Sequence, residues 1–161
     1  MTSGDTTQLH ALARQILRNN KFTTLGSIVQ EDIPWVSCVY YIWDDGNTSL
    51  YFRSDPSTRH IQNTAQTTAF EIHENPEPGE VTGVQGVGKV SLITDNEVTH
   101  AENLYLKKRN STAPIEHQPE TALWKWYVLR IDRVFFVDSR FTKRRRVDVW
   151  SRETHERTGS V

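Results

Sequence analysis

The residues best suited to chemistry lie in the segment 50–63, which reads LYFRSDPSTRHIQN. A strand pattern ends there, a polar turn follows, and a short helix begins. The turn gathers hydroxyl groups, a guanidinium and an imidazole: Ser54, Ser57, Thr58, Arg59 and His60. Hydroxyls and helix-start N–H groups donate to phosphate oxygens, and the planar fork of an arginine can bind two of them. The segment therefore predicts a phosphate-binding site.

The same segment also fits an ordinary helix start with a surface arginine. Asp55 or Ser57 is placed to cap the helix, and Pro56 suits its first turn. The carboxylate of Asp55 would repel a phosphate group. The residues alone leave both interpretations open.

The elements that must position this segment are mostly strands. The strongest strand pattern runs from Trp35 to Trp43 and ends in the hairpin turn 44–47. Other strands are predicted over 22–29, 49–54, 69–73, 81–94, 122–131 and 134–137. Helices are predicted over 8–19, from the 55–58 turn through Ala65, and over 96–108, where Thr94 and Glu97 form a capping-box signature. Glycines within 81–94 indicate bulges, or the close approach of a ligand or another backbone.

This order of elements predicts one antiparallel β-barrel with helical caps. No internal repeat and no linker divides the chain, so a single domain is expected over 1–150. A polar tail, 151–161, follows it.

Composition argues against several classes of function. The formal net charge of −1 over 161 residues gives no attraction toward nucleic acid or an anionic membrane. No apolar run approaches the roughly 20 residues of a membrane helix, and the polar start lacks a signal-peptide pattern. We therefore expect a soluble, cytoplasmic protein. Cys38, the only cysteine, lies in an apolar strand pattern, which favours a buried, inert thiol.

The segment 54–60 resembles the FMN phosphate site of the split-barrel flavin-binding superfamily, whose best-known members are the pyridoxamine 5′-phosphate oxidases. In that family, a strand ending in Tyr-Thr leads to Ser-Arg-Lys at a helix start, and these residues bind the FMN phosphate. Ser54 matches the Thr, and Thr58, Arg59 and His60 match Ser-Arg-Lys. The order of elements also matches, so the resemblance covers roughly residues 8–138.

A second match lies downstream, in the sequence GVQGVGKV. The family has a strand Gln that contacts the flavin, followed within a few residues by a Gly; Gln85 and Gly88 match them. If a flavin binds, backbone groups along 36–40, including those of Val39 and Tyr40, are candidates for contacts with the opposite edge of the flavin ring. The resemblance further implies a Greek-key-like split barrel and a homodimer with the cofactor at its seam.

The sequence departs from the oxidases proper at three places. The strand that carries an Arg and a Lys in the oxidases reads PWVSCVYY over Pro34–Tyr41. The pyridoxal phosphate motif Asn-Arg-Leu-His-Asp-Arg is replaced by SRFTKRRRVDV, and Val137 stands near the position of the flavin-ring tryptophan. The resemblance therefore implies a divergent small member rather than a true pyridoxamine phosphate oxidase.

The leading hypothesis is an FMN-binding oxidoreductase that transfers a hydride or electrons to or from an unknown small organic substrate. One alternative keeps the fold and binds deazaflavin, or haem through His60, His73 or His100. Another is a binding module without cofactor chemistry. The six histidines show no recognised metal spacing, although Glu71 and His73 share one strand face. The basic run Lys143–Arg146 fits a solvated strand end, a nucleic-acid or partner contact, or a reach to the flavin across the dimer.

Overall fold

The computed structural model describes residues 3–28, 32–62, 67–74, 80–111, 123–140, 142 and 146–152, and of residues 3–6 only the backbone. Its helices are α1 (Ser3–Asn19), α2 (Arg59–Gln62) and α3 (Asp95–Arg109). Its strands are β1 (Phe22–Ile28), β2 (Pro34–Asp44), β3 (Ser49–Ser54), β4 (Thr67–His73), β5 (Thr82–Leu92), β6 (Lys125–Asp138) and β7 (Val147–Ser151). Within these residues, no helix is long and apolar enough to cross a membrane.

Six of the strands form a closed antiparallel barrel. Their order is β3-β2-β1-β4-β5-β6, and the pairing of β3 with residues 125–130 of β6 closes the ring. Strand β7 pairs with residues 133–136, farther along β6. Because β4 returns to lie beside β1, the first four strands follow the Greek-key order. The expected single-domain, mainly β barrel with helical caps is therefore confirmed.

Alternation along the strands fills the inside of the barrel. In β4 every second side chain is buried and the others are exposed, as in a strand with one face on the core. Large side chains such as Tyr41, Phe52 and Phe136 are almost completely buried. Helix α1 covers the barrel with an apolar face, and the Tyr41 hydroxyl donates to the Leu17 carbonyl over 2.7 Å. This bond fixes the end of α1 against β2.

Several element boundaries differ from the sequence-based expectation. The two strands predicted over 122–131 and 134–137 are one strand, β6, because Val87 pairs with Arg133 and Gly88 with Ile131, which leaves Asp132 as a bulge. A bulge bends a strand without ending its pairing, so the break in the pattern was misread. Strand β7 was not predicted, and α1 begins five residues earlier than position 8.

The glycines of β5 make room for the protein itself. A Cβ built on Gly86 would meet the Arg133 carbonyl oxygen and the Phe70 ring, and one on Gly88 would meet the Arg130 carbonyl oxygen. Of the explanations left open by the sequence, the close approach of another backbone is therefore the one that the structure shows at these two positions. The bulge at Asp132 lies between the same two strands.

Helix α3 starts as its capping signature predicts. The backbone N–H and the hydroxyl of Thr94 both donate to Glu97 Oε2 over 3.2 Å, and Arg130 on β6 binds the other oxygen of that carboxylate at 2.6 Å. The predicted continuation of α2 to Ala65, most of the loop 74–80 and of the loop 109–120, three residues of the run 143–146, and most of the tail 151–161 lie outside the described residues.

Candidate functional site

The predicted phosphate segment lies at the corner where β3 ends and α2 begins. Ser54, the last residue of β3, is buried, and α2 begins five residues later at Arg59. The residue directly before α2 is Thr58, whose carbonyl accepts from the N–H groups of Ile61 and Gln62. The expectation that Asp55 or Ser57 caps this helix is therefore wrong. These two residues form a turn of their own before the helix begins.

Three of the predicted ligands meet at this corner. Ser54 Oγ lies 3.0 Å from Thr58 Oγ1 and 2.9 Å from His60 Nε2. Burial lowers the pKa of His60 below its ordinary value of 6.5, so the ring is neutral at neutral pH. The ring also lies 6.5 Å from that of Phe52. We call these three residues the hydroxyl–imidazole cluster.

Asp55 competes for the remaining hydroxyl of the segment. Its Oδ1 accepts from the Ser57 backbone N–H at 2.7 Å and from the Ser57 hydroxyl at 2.6 Å. The side-chain bond from Ser57 is the largest cause of the lowered pKa of Asp55. Ser57 could therefore bind an anion only by exchanging partners with this carboxylate.

Arg59 is held differently from the other predicted ligands. Its guanidinium carbon lies 4.5 Å from the centre of the Trp35 ring, a cation–π contact that sequence reasoning missed. Among the described residues, no carboxylate lies within salt-bridge distance of Arg59. The Arg59 guanidinium is thus exposed and positively charged, and its position is set by Trp35 on β2. Its N–H donors are available to an anion.

Gln85 lies on the outer face of the barrel, on β5, which β6 separates from β3 in the closed ring. The register places Cys38, Thr24, Glu71 and Gln85 in one row across four adjacent strands, about 14 Å long at the usual strand spacing. The Gln85 amide donates to Glu71 Oε1 over 3.3 Å. Ser54 pairs with Lys125 and Gln85 with Phe135 on β6, so ten positions of β6 separate the two sites and a ligand that contacts both must be elongated.

A groove of about 420 Å³ lies along this row. It is bordered by the end of α1, the start of β1, and residues of β2 and β4: Asn19, Asn20, Lys21, Phe22, Thr23, Thr24, Cys38, Glu71 and His73. Cys38 is exposed here, which corrects the expectation of a buried thiol: Val39, its neighbour on β2, takes the inward position. Tyr40 is half-buried on the same outward face as Cys38.

The three candidate haem ligands have different surroundings. His60 Nε2 belongs to the hydroxyl–imidazole cluster, and His100 Nε2 lies 2.8 Å from the buried carboxylate of Asp44. His73 borders the groove and shares its strand face with Glu71, as the alternation predicted. Among the described residues, no group of three or more metal-ligating side chains is brought together.

Comparisons with known proteins agree with the fold. No protein-family model matches the chain. The chain is 26% identical over 108 residues to the UPF0306 protein YhbP of Salmonella schwarzengrund, which covers 65% of this chain and 69% of that protein.

Three solved structures are similar in shape. They are a haem-binding protein from Mycobacterium smegmatis (TM-score 0.69, 18% identity, 96% of this chain covered), an FAD-binding protein from Mesorhizobium loti (0.56, 18%, 76%), and a Clostridium acetobutylicum protein related to general stress protein 26, of the pyridoxinephosphate oxidase family (0.65, 10%, 91%). The chain spans 61%, 88% and 96% of their respective lengths. At these identities the likeness shows the fold alone.

Proposed function

We propose that the protein binds FMN and acts as a small flavin-dependent oxidoreductase on an organic substrate. The observation that carries the proposal is the Arg59 guanidinium, which lies over the Trp35 ring and has no described carboxylate partner. In the chain, Arg59 stands between Thr58 and His60, two members of the hydroxyl–imidazole cluster. A phosphate at this corner would receive charge-assisted hydrogen bonds from Arg59 and neutral ones from the cluster. The similarity in fold to an FAD-binding protein is consistent with this assignment.

The side chains at the corner can bind a phosphate, but Ser57 and Thr58 must first give up hydrogen bonds to Asp55. Arg59 has spare donors, whereas the Thr58 hydroxyl donates to the Asp55 carbonyl at 2.7 Å and Ser57 donates to the Asp55 carboxylate. Ser54, Thr58, Arg59 and His60 would hold the phosphate, while Gln85 and backbone groups at Val39 and Tyr40 would orient the ring. When bound, the flavin would supply hydride or single-electron transfer.

FMN titration of the wild-type protein and of Arg59→Ala tests the proposal, with Arg14→Ala as the matched control. Arg14 is an exposed arginine whose nearest carboxylate atom, on Asp45, is 3.7 Å away. We expect Arg59→Ala to weaken FMN binding at least about tenfold, since a charge-assisted bond contributes roughly 1.5–3 kcal/mol. Riboflavin, which lacks the phosphate, should bind equally to all three proteins. No saturable FMN binding, or equal FMN affinity in the Arg59 variant, would reject the proposal.

We also propose that the protein works as a homodimer with the cofactor at the seam. Two large apolar side chains on the outer face support this: Val36 is 67% and Phe22 58% exposed. They lie on the outer face of the adjacent strands β2 and β1, four register positions apart, and the proposed seam would cover both of them. Val36→Lys should shift the mass measured by sedimentation from dimer to monomer and weaken FMN binding. A wild-type protein that sediments as a monomer at high concentration would contradict this.

Haem is the second candidate ligand. It is favoured by the position of His73 on the wall of the groove and by the similarity to a mycobacterial haem-binding protein. Haem binding through His73 should give a Soret band, and His73→Ala should abolish it. His100→Ala should leave the band intact, because the His100 imidazole is already bound to Asp44. Deazaflavin, a third ligand of this class, can be tested by the same titration with Arg59→Ala.

A binding module without cofactor chemistry is the remaining alternative. It is favoured by the Asp55 carboxylate, which already takes both Ser57 donors. In that case neither FMN, deazaflavin nor haem should bind saturably, and Arg59→Ala should change nothing measurable.

A further inference from the structure

Three cations gather around a cavity at the C-terminal end of α3. The cavity has a volume of about 390 Å³, and its described lining residues are Lys21, Tyr40, Tyr105, Lys108 and Arg109. None of these lining residues is acidic. The volume of the cavity lies within the range of small-molecule sites.

Lys108 forms one wall of the cavity and is rigidly held. Its Nζ donates to the Asn20 carbonyl at 2.6 Å and to the Tyr41 carbonyl at 2.9 Å, and it lies 4.2 Å from the centre of the Tyr41 ring. Burial lowers the pKa of Lys108 to about 8, and the positive charge of Lys21 acts in the same direction. The ammonium is therefore mainly charged at neutral pH, close to a second cation.

No described carboxylate compensates for this positive charge. Lys21, Lys108 and Arg109 take part in no salt bridge among the residues that the structure describes. Lys108 is half-buried, whereas Lys21 and Arg109 are exposed. Like charges this close repel one another, and an anion bound between them would relieve that repulsion. The charge balance of the cavity thus favours an anionic ligand.

Two tyrosines give the cavity a flat apolar side. The rings of Tyr40 and Tyr105 are 6.0 Å apart in an edge-to-face arrangement, and Arg109 Nη1 donates to the Tyr105 hydroxyl at 2.9 Å. This bond places the guanidinium beside the aromatic pair. A ring with an acidic substituent matches both halves of the cavity, because the ring can pack on tyrosine and the acid can pair with the cations.

We propose that this cavity binds a small aromatic acid, carboxylate or phosphate, and that such acids are the substrate class of the protein. The assignment as substrate rests on the proposed flavin function, since Tyr40 borders both this cavity and the proposed ring site. The binding of the acid itself does not depend on a flavin.

Titration of the cofactor-free protein with benzoate, phenyl phosphate and the neutral analogue benzamide tests this, followed by amide chemical shifts. We expect benzoate, phenyl phosphate or both to shift the amide signals of residues that line the cavity. Comparison of these two titrations shows whether the site prefers a carboxylate or a phosphate. Arg109→Gln and Lys21→Gln should each lower the affinity for the anion about fivefold or more. Lys107 is an exposed lysine of the same helix, so Lys107→Gln should change that affinity less than about twofold.

A pH series adds a second measurement. The positive charge of Lys21 acts on Lys108, and the rings of Tyr40 and Tyr41 lie 5.5 Å and 4.2 Å from its Nζ. Arg109 lines the same cavity. Since Lys108, whose pKa is about 8, loses its charge as the pH rises above that value, affinity for benzoate should fall about threefold or more by pH about 9.5.

The inference is overturned if neither anion binds saturably, if benzamide binds as well as benzoate, or if the Arg109 and Lys21 variants bind the anions like the wild type. Because these titrations contain no flavin, such a failure leaves the FMN test untouched. Conversely, anion binding without any FMN binding would keep the cavity as an anion site and remove only its role as a flavin substrate site.

Discussion

Replacing Gly86 by alanine should strongly destabilise the barrel, although only one methyl group is added. Gly86 lies in β5 between Phe70 on β4 and Val134 on β6. A Cβ at this position would lie 2.6 Å from Phe70 Cζ, and closer still to Phe70 Cε1 and to the Arg133 carbonyl oxygen. Carbon atoms pack at about 3.5 Å or more, so neighbours would have to move by about 1 Å.

Neither neighbour can give way cheaply. The Phe70 side chain is only 3% exposed inside the barrel, and the Arg133 carbonyl belongs to the strand that pairs with β5. Overpacking a core costs typically about 1–3 kcal/mol, and two rigid neighbours place this variant at the upper end, about 3 kcal/mol. For a domain of this size, that corresponds to a melting temperature lower by roughly 6–12 °C.

Gly26→Ala is the matched control. A Cβ on Gly26 would lie 3.6 Å from Ala69 Cβ, an ordinary contact, so its free energy of unfolding should stay within about 1 kcal/mol of the wild type. Urea unfolding followed by circular dichroism and by tryptophan fluorescence measures both variants. The reasoning is wrong if Gly86→Ala unfolds within about 1 kcal/mol of the wild type, or if the two variants are equally destabilised.

Three further predictions concern single polar groups. Tyr41→Phe leaves the Leu17 carbonyl without the buried phenol and should cost about 1–3 kcal/mol in urea unfolding; an unchanged midpoint would contradict this. Asp138→Asn turns an amide toward the donors of Arg140 and should cost about 2 kcal/mol by the same assay, more than Asp148→Asn at an exposed ion pair. Because burial lowers the pKa of His60 below 6.5, the unfolded chain binds more protons near that pH, so stability should fall as pH drops below 6.5. His60→Gln should flatten that part of the stability profile, and an unchanged slope would show that other groups cause it.

The flavin proposal depends most on whether Asp55 yields to a phosphate. In the structure this carboxylate is the acceptor for both Ser57 donors, so it forms an internal substitute for an anion at the same turn. Asp55→Asn removes the negative charge while keeping an oxygen acceptor. If the corner binds FMN, this variant should bind it more tightly than the wild type does.

Local sequence signals predicted those elements whose structure is determined within a single short segment of the chain. The alternation in Trp35–Trp43, the hairpin turn after it and the Thr94–Glu97 start of α3 were all predicted, because their stabilising contacts lie within a few residues. The break near Asp132 was misread because a bulge is defined by the partner strand, whose register a single segment does not contain.

By itself, the sequence determined a β-rich domain with helical caps and the place of a polar, donor-rich turn between β3 and α2. Only the tertiary structure decided what those donors meet: Arg59 on the ring of Trp35, Ser54 with His60, and Gln85 with Glu71. It likewise brought Lys21 and Lys108 to one cavity, although 87 positions separate them in the chain. Strand closure and helix docking create such contacts between distant residues, and no local pattern records them.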